Sequence, residues 1–413
     1  MLGSPIDRRA FCAGICSLPA TVASASSGMA GPGLRRGVNV HNLLSWPEST
    51  GEGASFAYAW PPFRGPDHSI SNAELARLTG LGFDYLRVTL DPGIFLATKG
   101  ARFDELTEIA VATARRLISA GFSVIVDLHP TDANPAYGPR SVVDAVDGPI
   151  FRAYANVVEK LAGAFDKLPH DHVLFEMMNE PWLDTPAEMK RWQEMMPLLH
   201  AKARSAAPDL PLVVTGARWS DAKALMQLDI TPFKRSNVFY TFHYYDPHTW
   251  THQGVDSDAE TRHLSGLRWP PDRGNVSAVT KSAAIHAEEA TSSAGFSVAA
   301  REKRAAKDAL AAYFRTGHTP ERIAEDFAAV GQWAKDNGIA SDRVFLGEFG
   351  CVGTALGQPL PDRIPWFAAV RAAAEANGFP WALWVYKGYG GMALVSGEQV
   401  DRPLADAIGL RNP

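Results

Sequence analysis

The chain has 413 residues, 46% hydrophobic and 21% charged, a composition typical of one large α/β domain or two medium-sized ones. Its formal net charge of −5 and the lack of any run of lysine or arginine argue against nucleic-acid binding and favour a neutral or weakly charged substrate. After the N-terminal segment, no run of about 18 apolar residues predicts a membrane span.

The first 25 residues are typical of an export signal. Arg8 and Arg9 resemble the twin-arginine pattern, residues 11–22 form a short apolar core, and residues 23–25 give a small-residue cleavage site. This predicts a protein exported, periplasmic or secreted, with a mature domain over residues 26–413. A disordered N-terminus without a targeting role is the alternative interpretation.

Cysteine content is consistent with this prediction but does not establish it. Cys12 and Cys16 would be removed with the signal, so Cys351 alone would remain and no internal disulfide is predicted. Cys351 could be a thiol nucleophile or a small buried hydrophobic residue. The second interpretation is favoured because no histidine lies near it in sequence.

From residue 36 onward, short apolar runs alternate eight times with stretches of helical periodicity. Such alternation is typical of parallel strands joined by crossover helices, and eight repeats predict a single (β/α)8 TIM barrel, an α/β fold. The predicted strands are residues 37–41, 85–90, 123–129, 173–180, 212–216, 238–245, 344–348 and 381–386.

Helical spacing of apolar residues between these runs predicts the crossover helices. Residues 104–120 form one such helix, which Gly121 ends. A large insertion, residues 246–320, follows strand 6 and is predicted to be partly helical, because apolar residues recur at helical spacing through 306–314. We expect a helical cap near the mouth of a cleft; simple packing filler is the competing interpretation.

Two carboxylates stand at predicted strand ends. The apolar run 173–178 closes with Asn179-Glu180-Pro181, in which the proline turns the backbone out of the strand, and Glu348 follows a second apolar run. Barrel enzymes carry their catalytic residues at this end of the strands. Two carboxylates that face one cleft are the groups that glycoside hydrolysis requires.

Other strand ends carry polar or aromatic side chains that would converge on the same face. The full set is Arg87, His129, Asn179, Glu180, His243, Tyr245, Glu348 and Trp384. This ordered set resembles glycoside hydrolase family 5, the cellulase family of retaining barrel glycosidases, over nearly the whole mature chain. The matching segments are Leu86-Arg87-Val88, Asp127-Leu128-His129, Asn179-Glu180-Pro181, His243-Tyr244-Tyr245, Gly347-Glu348-Phe349-Gly350 and Trp384.

The resemblance implies a retaining endo-β-1,4-glucanase that needs no cofactor and no metal. Glu348 would be the nucleophile and Glu180 the acid/base, with their carboxyl groups about 5 to 5.5 Å apart. Arg87 and Tyr245 would favour the anion of Glu348, whereas a nearby carboxylate and a partly apolar site would keep Glu180 protonated.

The remaining residues of the set would hold the sugar. Asn179 would hydrogen-bond the 2-hydroxyl, while His129 and His243 would orient other hydroxyls and the acid. Trp384 would offer a flat apolar platform to a pyranose ring. Asn39 and His41, at the end of the first strand, are expected on the cleft floor.

Loop tryptophans are further candidates for sugar stacking. Trp46, Trp182, Trp219 and Trp250 follow strands, and we expect Trp182 and Trp219 in particular to contact substrate, although tryptophans in loops also serve as packing anchors. Trp381 should face away from Trp384 and belong to the core.

Simpler structural interpretations stay open for several residues. A single glutamate at a strand end can be an ordinary ion-pair partner, and Arg87 can form a salt bridge with Asp127. His129 and His243 could bind a metal, but the chain has no His-Glu-x-x-His spacing.

The substrate is predicted only as a polysaccharide or oligosaccharide, bound by a monomer. Loops set the subsites of such barrels, so mannan, β-1,3-glucan and bacterial exopolysaccharide are alternatives to β-1,4-glucan. The insertion after strand 6 departs from the compact cellulase pattern and could close one end of the cleft, which would give exo action. A non-hydrolytic glycan-binding protein on a barrel scaffold is the alternative from another class.

Overall fold

The computed structural model describes residues 31–51, 53–290, 296–389 and 391–412. The predicted export signal, residues 1–25, lies outside these residues. Eight parallel strands close into a barrel in which each strand pairs with its neighbours in sequence and the eighth pairs with the first. This confirms the predicted (β/α)8 barrel. The strands are β1 (Arg36–Leu44), β2 (Tyr85–Leu90), β3 (Ser123–Leu128), β4 (Val173–Glu176), β5 (Leu212–Thr215), β6 (Val238–Tyr244), β7 (Val344–Phe349) and β8 (Trp381–Leu383).

Helices surround the barrel. Ten of them are α1 (Asn72–Leu81), α2 (Ala101–Ser119), α3 (Pro149–Phe165), α4 (Pro186–Ala206), α5 (Ala222–Met226), α6 (Val276–Ala290), α7 (Phe296–Thr316), α8 (Pro320–Asp336), α9 (Arg363–Ala376) and α10 (Arg402–Ala407). Helix α2 is the one predicted at residues 104–120. None of the helices in the described part of the chain is long and apolar enough to cross a membrane.

The barrel interior is apolar at one end and polar at the other. A separate buried cluster contains one residue from each of seven strands together with Leu34, which precedes β1: Leu34, Tyr85, Ile125, Leu174, Val213, Phe239, Phe345 and Ala382. Because alternate residues of a strand point the same way, the next inward positions lie two residues farther along. There the interior becomes polar, with Arg87, Asp127, Glu176, Thr215 and Thr241.

The insertion after β6 is partly helical, as the sequence predicted: α7 contains the predicted helical stretch at residues 306–314. Helix α6, which was not predicted, packs against α7. Trp250 is completely buried, and its ring lies 6.0 Å from Trp269 and 6.1 Å from Trp366. The expectation that Trp250 could stack on a sugar is therefore wrong. A position in a loop suggests an exposed ring, but the insertion folds back over Trp250.

Candidate active site

Arg87 lies at the centre of the polar layer and is completely buried. Nε and Nη2 donate to the two carboxylate oxygens of Glu176, each at 2.8 Å. Nη1 donates to Glu348 Oε1 at 2.7 Å and to Asn39 Oδ1 at 2.8 Å. Nη2 also donates to Asn179 Oδ1 at 2.8 Å. A planar guanidinium with five N–H groups is the one side chain able to connect so many acceptors.

Asn39 is held so that its oxygen faces this guanidinium. Its Nδ2 donates to the backbone oxygens of Gly347 and Leu383, at 3.0 and 3.2 Å. Because the amide nitrogen is used in this way, only Oδ1 is left to accept from Arg87. The predicted place of Asn39 on the cleft floor is thus a buried one, beneath the carboxylates.

Glu348 is buried in β7 and accepts a hydrogen bond on each oxygen. Arg87 donates to Oε1, and the Tyr245 hydroxyl donates to Oε2 at 2.7 Å. Its neighbour Gly347 leaves room for the site, since a Cβ there would lie 3.0 Å from His243 Nε2. Burial raises the pKa of Glu348, while His243, Arg87 and His129 oppose that rise and Glu180 adds to it.

Glu180 lies beyond the end of its strand. β4 ends at Glu176, four residues earlier than the predicted boundary, because Met177 and Met178 extend the apolar pattern without extending the strand. Glu180 has φ of 41°, an uncommon left-handed conformation for a residue with a side chain, and its backbone nitrogen donates to Ser220 Oγ at 3.2 Å. This turn directs a carboxyl group that is 28% exposed into the cleft.

The two glutamates meet at His243. His243 Nδ1 lies 2.7 Å from Glu180 Oε1 and 3.6 Å from Glu348 Oε2. One oxygen of each carboxylate and a ring nitrogen of His243 all lie within 4.8 Å of one another. The two carboxyl groups that the sequence placed on separate strands therefore share one opening.

The surroundings separate the protonation states of these groups. Burial raises the pKa of Glu180 to about 7, against the opposing effect of Arg87 and with a further contribution from Glu176. Burial lowers the pKa of His243 to about 4 and that of His129 to about 3. Both imidazoles are therefore neutral near pH 6, whereas Glu180 holds a proton there.

His129 connects the polar layer to the cleft. Its Nδ1 lies 2.8 Å from Asp127 Oδ2, and its Nε2 lies 3.3 Å from Asn179 Nδ2. Asp127 also lies 3.1 Å from Arg87 Nη2, so the salt bridge that we kept as an alternative role for Arg87 is present alongside the contact with Glu348.

Trp384 belongs to an aromatic group with His41 and Tyr389. Its ring stacks on His129 with centroids 5.7 Å apart, and His41 and Tyr389 pack against it at 4.9 and 5.4 Å. Trp46 Nε1 donates to His41 Nε2 at 2.8 Å. Only 3% of Trp384 is exposed, whereas Tyr389 is 48% exposed. A sugar ring could stack on Trp384 only if one of the rings packed against it moved.

Trp182 and Trp219 lie together on the loops after β4 and β5, with ring centroids 6.1 Å apart. Arg140 lies over the Trp182 ring at 5.6 Å, and Trp219 is 41% exposed. In the order of the barrel strands these loops stand opposite those of β1 and β8, which carry Trp46 and Tyr389. Exposed aromatic rings thus flank the two glutamates on two sides.

Residues 51–390 match the sequence family described as cellulase (glycosyl hydrolase family 5). The chain belongs to this family. The family resemblance predicted from the sequence is thereby confirmed.

Individual family members are distant in sequence. Endoglucanase 3 of Fibrobacter succinogenes is 23% identical over 368 residues, which are 86% of this chain and 50% of that protein. Cellodextrinase A of Ruminococcus flavefaciens is 23% identical over 197 residues, 46% of this chain and 55% of that protein. The chain thus spans about half the length of the curated relatives it matches.

Solved structures share the barrel. An endoglucanase from the hyperthermophilic Thermotoga maritima superposes with a TM-score of 0.62 at 18% identity, covering 91% of this chain and 96% of the other. The cellulose synthase subunit Z of Clostridioides difficile gives a TM-score of 0.60 at 19% identity, covering 91% and 99%. At such identities the likeness concerns the fold alone.

Some groups in the site were not singled out by the sequence. Glu176 was not considered, although a glutamate within an apolar run predicted to be buried should have been a signal, since buried charges require partners. Tyr389 was not singled out either. Trp381 is buried as predicted, and Cys351 is a buried thiol whose pKa is raised by burial.

Two groups of side chains in the described part of the chain could hold a metal ion. One is Glu180 with His243 and Glu348, and the other is Asp246 with His318 and Asp326. The first is already joined by hydrogen bonds among its members. In the second, Arg322 Nη2 lies 2.9 Å from Asp326 Oδ1, so a cation already occupies one side of that carboxylate.

Proposed function

We propose that this hydrolase is a retaining endo-β-1,4-glucanase in which Glu348 is the nucleophile and Glu180 the acid/base. The observation that carries the proposal is the separation of the carboxylates, with an oxygen of each within 4.8 Å of the other. Retaining enzymes hold these groups about 5 to 5.5 Å apart, whereas inverting enzymes leave about 6.5 to 9.5 Å for a water molecule.

In the first step a carboxylate oxygen of Glu348 forms a bond to the anomeric carbon as the glycosidic bond breaks. The proton of Glu180 goes to the departing oxygen. In the second step Glu180, now ionised, takes a proton from water, and the water oxygen displaces Glu348. The first step leaves Glu180 ionised, so that it can act as the base. The second step releases Glu348 as a carboxylate and returns the proton to Glu180.

Hydrogen bonds around the pair support this division. Arg87 and Tyr245 donate to Glu348 and so favour its anion. Burial raises the pKa of Glu180 to about 7, which suits a group that must give up and regain a proton near neutral pH. His243, neutral at that pH, contacts Glu180 and would orient it.

The remaining residues would contact the sugar. Asn179, fixed by Arg87 and next to His129, would meet the 2-hydroxyl, and Trp384 with His41 would support the ring. Exposed aromatic rings on both sides of the glutamates favour a cleft that extends in two directions. Such a cleft binds the interior of a chain, which supports endo action.

Stereochemistry provides the test. Proton NMR of the first product of cellohexaose hydrolysis should show the β-anomer, and the α-anomer would contradict a retaining mechanism. Glu348→Gln should fold and lose turnover. Glu348→Ala should regain cleavage of 2,4-dinitrophenyl β-cellobioside when azide is added and should release an α-glycosyl azide. Near-normal hydrolysis by Glu348→Gln would contradict the assignment of Glu348 as the nucleophile.

A panel of soluble β-1,4-glucan, β-mannan and β-1,3-glucan tests the substrate. Endo action on β-1,4-glucan should lower viscosity well before much reducing sugar appears. A single small product from the first minute would mean exo action, and preference for another polymer would change the substrate. If the protein bound these glycans without releasing any reducing sugar, glycan binding would replace hydrolysis as its proposed function.

Export to the periplasm or medium is a further part of the proposal, based on residues 1–25. Replacing Arg8 and Arg9 together by lysine should leave the protein in the cytoplasm, as cell fractionation would reveal. Unchanged export of that variant would contradict the twin-arginine route.

A further inference from the structure

Arg87 contacts buried carboxylates other than that of Glu348. Glu176, completely buried on β4, accepts from Nε and Nη2 at 2.8 Å each. Both of its oxygens are thus used by a single guanidinium, in a two-bond planar pairing. Glu176 is four residues before Glu180, and both of its oxygens accept from Arg87 and not from Glu348, so it does not belong to the reacting pair.

We propose that Glu176 is a positioning residue, which fixes the plane of the Arg87 guanidinium so that Nη1 meets Glu348 and Nη2 meets Asn179. This inference rests on the proposed function, because it assigns a task to a residue behind the nucleophile. It does not require a particular polymer as substrate.

The donors of Arg87 show why the orientation matters. Its five N–H groups meet Glu176 twice, Glu348 once, Asn39 once and Asn179 once, and every one of these five contacts measures 2.7 or 2.8 Å. A guanidinium is rigid and flat, so the pairing with Glu176 at one edge determines where the remaining three hydrogens point.

Asp127 is another buried carboxylate near Arg87, and it is arranged differently from Glu176. It reaches Nη2 at 3.1 Å with Oδ2, the same oxygen that contacts His129 Nδ1 at 2.8 Å. Its Oδ1 has no hydrogen-bond partner among the described residues. Asp127 therefore orients His129, whereas Glu176 alone faces the guanidinium edge with both oxygens.

Glu176 also acts by charge. Its carboxylate contributes to the raised pKa of Glu180, after burial and against Arg87. Removing that charge would leave Arg87 less compensated, so both Glu180 and Glu348 should lose their protons at lower pH. The titratable or charged groups around Glu180 are Arg87 on β2, Asp127 on β3, Glu176 on β4, His243 and Tyr245 at β6, Glu348 on β7 and Tyr389 after β8.

Two variants separate charge from geometry. Glu176→Gln keeps the side-chain length but loses the charge and one of the two acceptors, so both limbs of the kcat/KM profile against pH should move to lower pH, by about one unit, and kcat should also fall. Glu176→Asp keeps the charge but shortens the side chain; its limbs should stay in place while kcat falls, on the order of 100-fold for a displacement near 1 Å. KM should change little in either variant.

Glu302→Gln is the matched control. Glu302 is a buried glutamate in the insertion, paired with His263 at 3.2 Å and with Arg301 at 3.3 Å. This variant should lose stability without moving either pH limb. A Glu176→Gln enzyme with the wild-type profile, or one that like the control loses only stability, would overturn the inference.

Two measurements guard against ambiguous results. If the Glu176 variants do not fold, arginine-selective ¹⁵N NMR of the wild-type protein decides: separate, slowly exchanging Nη–H signals for Arg87 support a fixed plane, and one averaged signal contradicts it. Wild-type protein that cleaves no glycoside would defeat the proposed function; the NMR result for Arg87 would still decide whether the guanidinium is held in one plane, as the inference requires.

Discussion

The hydroxyl of Tyr245 offers a quantitative test of how the nucleophile stays ionised. It donates to Glu348 Oε2 at 2.7 Å, and burial raises the pKa of Tyr245 well above its ordinary value, so it remains a donor at any working pH. A hydrogen bond to a charged group contributes about 1.5–3 kcal/mol. At about 1.36 kcal/mol per pKa unit, Tyr245→Phe should raise the pKa of Glu348 by about one to two units.

The sign follows from the form that reacts. Glu348 must be ionised to attack, so its pKa sets the acidic limb of kcat/KM, and that limb should move to higher pH in Tyr245→Phe. The substrate for this assay is 2,4-dinitrophenyl β-cellobioside, whose leaving group needs no proton from Glu180. Activity should fall steeply on the acidic side and recover most of its wild-type value at higher pH.

Tyr244→Phe is the matched control, because it removes the hydroxyl of the adjacent residue. Tyr244 OH contacts His318 Nε2 at 3.1 Å and Asp326 Oδ2 at 3.0 Å, away from Glu348. This variant should lose stability and keep the acidic limb in place. A uniform loss of activity at every pH in Tyr245→Phe, with its acidic limb unmoved, would refute the reasoning.

Three further changes probe other parts of the site. Glu180→Gln should slow glycan hydrolysis on the order of 10²–10⁴-fold and spare the dinitrophenyl substrate; equal losses on both would exclude the acid role. Arg87→Met should lower the free energy of unfolding by about 3–5 kcal/mol at pH 7.5, since it leaves buried carboxylates without a cation. Without the cation, the pKa values of these carboxyl groups in the folded protein should rise further, so stability should return as they become protonated at lower pH. The same loss of unfolding free energy at pH 5.5, measured by urea unfolding, would contradict this. Trp219→Ala should raise KM for long glucan several-fold, about 1 kcal/mol of stacking, and leave the aryl cellobioside unaffected; a loss on both would mean that Trp219 supports the fold.

Sequence patterns were sufficient for the barrel and for the residues at its mouth. Each apolar run is short and is followed by a turn, so the strands could be counted, and the polar residue closing each run marked the catalytic face. Arg87, Glu180 and Glu348 were found in this way, and the structure brings them to one opening. Their catalytic roles remain predictions.

The misses have a common physical origin. Apolar residues continue the pattern of β4 to Met178, but the strand ends at Glu176, because pairing with neighbouring strands and not hydrophobicity decides where a strand stops. Trp250 was expected at a sugar because burial by the insertion depends on contacts far away in sequence. Glu176 was passed over because alternation alone does not say which side of a strand faces the barrel axis.

The hydrogen bonds of Arg87 also have a consequence for assembly of the protein. The guanidinium contacts Asn179, 92 positions away, and Glu348, 261 positions away, so the complete set of bonds requires the first and the last parts of the barrel to meet. Contacts between such distant segments form late, since closing long loops costs entropy first. Hydrolytic activity should consequently return during refolding only when the barrel closes. The circular dichroism signal of the individual helices should return earlier.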